Sequence, residues 1–277
     1  MNSHSAGRIM IAAFALLFFG CVPARVSLRQ DFWKDSRHTV GVAVGQMPPL
    51  HVYPLPEAEA AAMGPLQGAV YMEIRHQKTG TLESHLQLVD VSRFGAVADH
   101  YVEKLQALGF SARKLSGPVN MESLPPFQAK ESGEFARKDM RSLAQQEGID
   151  MLVLLSVDRC GTKMLPFWEM EAMCVASGEL IDLRTNRVEW RARMEEEEGT
   201  KPIKEWNQAP DFPGVSKSLG EAVTQAQQYL VRDFFRGTPG APPPGCSETP
   251  EFRAASAVEK KRLLSECAKA KSASAAP

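Results

Sequence analysis

Met151-Leu152-Val153-Leu154-Leu155-Ser156-Val157 is an apolar run interrupted only by Ser156, entered from Gly148 and Asp150 and left at Asp158-Arg159. A run without polar alternation must be covered on both faces. It therefore reads as the central strand of a sheet with packing layers above and below. Val188, Trp190, Ala192 and Met194 instead alternate with Glu189, Arg191, Arg193 and Glu195, the pattern of a half-exposed strand. Between the two lie a connector over 158–168, a strand running to Leu183, and the turn Arg184-Thr185-Asn186.

Helical spacing appears around these strands. Phe94, Val97, Ala98, Tyr101, Val102, Leu105 and Leu108 recur at the 3.6-residue period, with Ser92 as candidate N-cap and Gly109 as C-cap. Residues 133–147 read as a second helix carrying Phe135, Ala136, Met140, Leu143 and Ala144, closed by Gly148. A third, Val215 to Phe235, presents Val215, Leu219, Val223, Ala226, Leu230 and Phe234 on one face. Residues 57–63 favour helix, and 66–76 fit helix or strand. Thr39 to Val44 reads as a buried first strand and Phe110 to Leu115 as another. The order predicts an α/β fold: a mixed sheet, with parallel crossovers followed by a C-terminal antiparallel meander, packed with amphipathic helices.

The N-terminus sets the compartment. After Arg8, Ile9 to Phe19 is apolar and too short to span a bilayer comfortably, so 1–20 reads as a signal peptide. Gly20-Cys21 resembles the lipobox of bacterial lipoproteins, which implies acylation at Cys21. An ordinary signal peptide cut nearby and an uncleaved anchor are the alternatives. Val22 after Cys21, rather than Asp, implies by the same likeness sorting to the outer membrane, with the domain on the periplasmic face. Residues 21–38 are polar and irregular and read as a lipidated tether of at most about 55 Å. The α/β domain then spans 39–237. A Pro-rich linker and a tail with one short helix fill 238–277.

The chain of 277 residues carries 32 basic and 33 acidic side chains, without a long basic block, so no nucleic-acid partner is expected. Beyond the N-terminus no apolar run approaches the roughly 20 residues of a membrane helix. With Cys21 acylated, four cysteines remain, and export favours disulfides. Proximity pairs Cys160 with Cys174 and Cys246 with Cys267, although four cysteines allow about three pairings, and free thiols are the alternative. No CxxC spacing is present, and the histidines lie far from the cysteines, so neither a metal nor another cofactor is expected. Nor is there a nucleophile motif, P-loop or dinucleotide fingerprint, so an enzyme is not expected.

One feature asks for a binding role. Met164, Leu165, Phe167 and Trp168 surround Pro166 in the expected connector, where a Cys160–Cys174 bridge would stiffen an apolar tip able to bind a partner. The other reading of that segment is that it fills the core edge. Glu195 to Glu198 is an acidic run that reads as a solvated strand end or a site for cations or a basic partner.

Four segments carry a family resemblance: TVGVAV, RFGAVADHYVEKLQALGF, EGIDMLVLLSVDRCGT and GELIDLRTNRVEWRARM. Together with the lipobox-like start, they resemble envelope lipoproteins with TolB N-terminal and CsgG-like periplasmic domains, over roughly 39–236. The resemblance implies a membrane-anchored, non-enzymatic interaction or assembly module with an envelope protein partner. The connector lacks the length and alternation of a barrel hairpin, which argues against a pore. The alternatives are an envelope hydrolase assembling His100, Asp158 and Glu171, and a lipoprotein binding small ligands or glycans.

Overall fold

A long antiparallel hairpin organises the molecule. In the computed structural model, β4 (Met151–Met164) pairs with β5 (Met170–Asp182) from Met151 opposite Asp182 to Met164 opposite Met170. The structure describes residues 24–55, 62–64, 68, 80–129, 132–165, 169–204, 212–238, 262, 263 and 267. The signal peptide, Cys21, Phe167, Trp168, Trp206 and Cys246 lie outside them, as does most of 56–79.

The two halves of the hairpin have different neighbours. At its base, β1 (Thr39–Val44) runs parallel to both β3 (Ser111–Lys114) and β4, while β6 (Arg187–Arg193) is antiparallel to β5, giving the order β3-β1-β4-β5-β6. At its tip, β2 (His51–Tyr53) lies parallel to β4 and β7 (Thr200–Pro202) antiparallel to β5. Parallel crossovers thus precede an antiparallel meander, as the element order requires. Gly161 permits the contact with β2: its φ is 153°, and a Cβ would sit 1.9 Å from the His51 carbonyl oxygen.

The apolar run is covered on both sides. Val153 and Leu155 join the larger core with α1 (Ala96–Ala107) and α3 (Pro213–Phe234). Leu152 and Leu154 join Ile149, Ile181, Leu183 and Met140 in a second core, against which Leu143 and Ala144 of α2 (Arg141–Glu147) pack. Tyr101 locks the two long helices together, its hydroxyl donating to the Leu230 carbonyl at 2.7 Å. Among the described residues no helix is long and apolar enough to cross a membrane.

Three expectations need correction. First, 158–164 is strand rather than connector. Its charges made it look like a loop, but Asp158, Arg159 and Lys163 all find ionic or hydrogen-bonding partners at the sheet edge. Second, the helix expected over 133–147 begins only at Arg141. Asn186, fully buried at φ 62°, holds the preceding segment extended: its side chain donates to the Ala136 and Lys138 carbonyls and accepts from the Met140 N–H.

Third, the tether is docked from Ala24 onward. Val26 exchanges two backbone hydrogen bonds with Arg191 at 3.0 and 2.9 Å, extending the sheet edge. A 3₁₀ turn, Phe32–Lys34, then seats Trp33 among Phe110, Phe234 and Phe235, with ring centroids 5.6–6.1 Å away. Aromatic burial of this kind offsets the cost of ordering the segment.

Candidate functional site

A charged cleft lies where β4, β5 and β6 meet the last turns of α3. Its cavity of about 730 Å³ is lined by arginines 25, 159, 191, 193, 232 and 236 together with Glu195, Glu196, Glu198 and Asp233. A bulge between Val157 and Arg159 shifts the β4–β5 register and leaves Asp158 without a partner in the ladder. A second irregularity falls between Leu180 and Ile181, where Glu189 is the unpaired residue of β6. Val188 and Trp190 consequently enter opposite cores despite their even spacing.

Carboxylates hold most of these arginines in place. Arg193 Nε donates to Asp158 at 2.9 Å, and Ser177 Oγ donates to the other oxygen of Asp158 at 2.7 Å. Glu196 accepts from Lys163 at 2.7 Å and Arg159 at 2.6 Å. The Lys163 hydrogen bond is the main reason its carboxyl lies below the usual range, an effect that Arg159 adds to and partial burial opposes. Arg191 is buried, which works against its charge, but hydrogen bonds to Glu179 (2.6 Å) and Glu134 (2.7 Å) outweigh that cost and raise its pKa. Its alternation with Trp190 predicted an exposed side chain. Only the convergence of those two carboxylates, distant in sequence, shows why it is covered.

Asp233 joins three elements. One oxygen accepts from Trp190 Nε1 at 2.9 Å and the other pairs with Arg25. One turn earlier, the Tyr229 hydroxyl donates to the Arg193 carbonyl at 2.8 Å, while the Arg232 guanidinium lies 5.8 Å from the Tyr229 ring centroid. Arg232 has no carboxylate partner among the described residues. Glu195 and Glu198 are exposed, and the Glu197 side chain is outside the described set. The acidic run is thus a divided feature, with Glu196 clamped and Glu195 and Glu198 lining the cleft.

The cysteine and apolar-tip expectations fare differently. Cys160 and Cys174 are directly opposite each other on β4 and β5, as a bridge would need, yet both are free, buried thiols. The expected Cys160–Cys174 bridge is therefore corrected to a thiol pair, with Cys174 hydrogen-bonded to Cys160 and its pKa raised by that bond and by burial. Cys267 is disulfide-bonded, and Cys246 lies outside the described residues. Met164 is buried in the larger core instead of exposed at a tip, and Leu165 is half-buried, its N–H donating to the Glu169 carbonyl at 2.9 Å.

The dispersed hydrolase triad does not assemble. Asp158 is held by Ser177 and Arg193, Glu171 faces Pro202 near the hairpin tip, and His100 lines a separate groove between α1 and α3. Among the described residues no three metal-ligating side chains converge. His85 contacts Ser216 Oγ at 3.2 Å and packs on Phe212.

No protein-family model and no curated protein matches the chain. Similar solved structures include the PelC dodecamer from Paraburkholderia phytofirmans, at 13% identity over 74% of this chain and 95% of that one, with TM-score 0.26. Protein XCC0632 from Xanthomonas campestris, of family-model DUF330, is 12% identical over 78% and 92%, with TM-score 0.33. Lipoprotein GNA1162 from Neisseria meningitidis is 13% identical over 70% and 99%, with TM-score 0.24. Likenesses of this size transfer neither family membership nor function.

Proposed function

We propose that this chain is a periplasmic lipoprotein held on the outer membrane through acyl chains on Cys21. Its α/β domain serves as a non-enzymatic interaction or assembly module of the envelope, of the TolB N-terminal/CsgG-like kind. The observation that carries this reading is the docking of the N-terminal segment. Cys21 stands only five positions ahead of Val26, which is paired to the sheet edge, so an acyl group there holds the whole domain at a bilayer. The charged cleft is consistent with a binding role: Arg25, Arg159, Arg191 and Arg193 are held in fixed ion pairs, while Arg232, Glu195 and Glu198 are exposed along it.

The test is the intact mass of the protein extracted from membranes without reductant. The expected mass is that of residues 21–277 plus acyl chains, less two hydrogens for the Cys267 disulfide. An unacylated chain cut elsewhere would overturn the reading.

A further inference from the structure

Docking of the N-terminal segment determines which end of the domain meets the bilayer. With 22–38 free, the domain would sit at any orientation within about 55 Å of its anchor. Val26, however, is held on Arg191 by two backbone hydrogen bonds, and Arg25 is paired with Asp233. Val26 is the fifth residue after Cys21, a reach of at most about 18 Å. Asp233 belongs to the last turn of α3, with Arg232 immediately before it and Tyr229 one turn earlier. The groups around Arg25 are therefore those carried closest to the lipid.

We infer that the end of the domain formed by Arg25, Tyr229 and Arg232 lies in the headgroup layer, with lipid phosphates as partners of Arg25 and Arg232. The inference rests on acylation of Cys21. Three observations support a lipid surface as the occupant. The Arg25 side chain is 51% exposed despite its ion pair. Arg232 is exposed, lies over an aromatic ring and has no carboxylate partner among the described residues. Tyr229 is half-buried, with its hydroxyl tied to a backbone carbonyl. A tyrosine beside arginines presents an apolar ring and charged tips to the same layer, the side-chain chemistry that suits a membrane interface. Glu195 and Glu198 line the same cavity, so the attraction belongs to Arg25 and Arg232 and not to the cleft as a whole. Screening confines it to groups within about 10 Å of the headgroups, a separation that the short reach from Cys21 allows.

The experiment uses the acylated full chain in vesicles of phosphatidylethanolamine and phosphatidylglycerol containing a brominated lipid. A fluorophore is attached through Arg236→Cys or, in a second protein, through Lys217→Cys, which lies about 25 Å back along α3 from its last turn. Quenching at position 236 and none at 217 is the expected result. Equal quenching, or more at 217, would overturn the inference and leave this end open to a protein partner. Adding Arg232→Gln to the 236-labelled protein should weaken its headgroup engagement about fivefold, the effect of one cation at an anionic surface. Unchanged quenching would remove Arg232 from the contact. The mass of the same preparation separates the two readings. Without acyl chains both fall, whereas acyl chains with equal quenching defeat the orientation alone.

Discussion

Trp190 on β6 donates its indole N–H to Asp233 on α3 at 2.9 Å, and the second oxygen of Asp233 takes Arg25 from the N-terminal segment. One carboxylate thus ties the sheet edge, the longest described helix and the chain leading from the proposed anchor. The Trp190 ring also lies where a Cβ on Gly178 would stand, 2.5 Å from its nearest carbon, so the indole reaches α3 only because β5 has a glycine there.

Asp233→Ala should destabilise the fold by about 1–3 kcal/mol, the cost of leaving a buried indole N–H without its acceptor. Asp233→Asn keeps an acceptor for Trp190 and should cost less. Urea unfolding of both variants measures the difference. Equal losses would mean that the Trp190 bond contributes nothing and that the charge on Arg25 accounts for the effect.

Glu196 gives the cleft a pH dependence. Its folded-state pKa lies below the ordinary range because Lys163 hydrogen-bonds it, with Arg159 adding to the effect. The stabilisation is then complete above the unfolded value of about 4.3 and is lost as pH falls through the lower folded value. Thermal melts from neutral pH down to about 3 should show a decline that Glu196→Gln makes shallower. An identical slope in the variant would show that the clamp is too solvated to matter.

The sheet was legible in the chain because burial leaves a local mark. Met151 to Val157 read correctly as covered on both faces, and the helix over 94–108 appeared at its spacing. What escaped depends on partners far apart in sequence. Asn186 overrides the helical spacing of 133–140 through hydrogen bonds across about fifty positions. Arg191 is buried because Glu134 and Glu179 meet it, and Val188 changes face because of a single extra residue. The cleft was visible only as the acidic run, since its arginines come from four separate segments. For the N-terminal segment, Trp33 was the signal: a large aromatic in a polar stretch marks a docking point.

Cys160 and Cys174 should resist alkylation in the native protein. Both are fully buried, and the raised pKa of Cys174 removes the reactive thiolate at neutral pH. Peptide mapping after iodoacetamide should find neither modified under native conditions and both modified in guanidinium chloride. Cys267 should remain protected until reduction. Native labelling of Cys160 or Cys174 would show that the hairpin opens at its centre.

Trp33 distinguishes a docked segment from a loose one. Trp33→Ala removes a ring packed on Phe110, Phe234 and Phe235, and losses of this kind cost about 3–5 kcal/mol where the cavity cannot collapse. Trp33→Phe keeps an aromatic ring and also deletes an indole N–H that has no hydrogen-bond partner among the described residues. It should therefore stay within about 1 kcal/mol of the parent chain. The segment can also peel away before the domain unfolds, so hydrogen exchange at the Val26 amide is the sharper readout. Its bond to the Arg191 carbonyl should protect it in the parent and in Trp33→Phe, and that protection should disappear in Trp33→Ala. Protection retained in Trp33→Ala would mean that the sheet-edge pairing holds the segment without the aromatic seat.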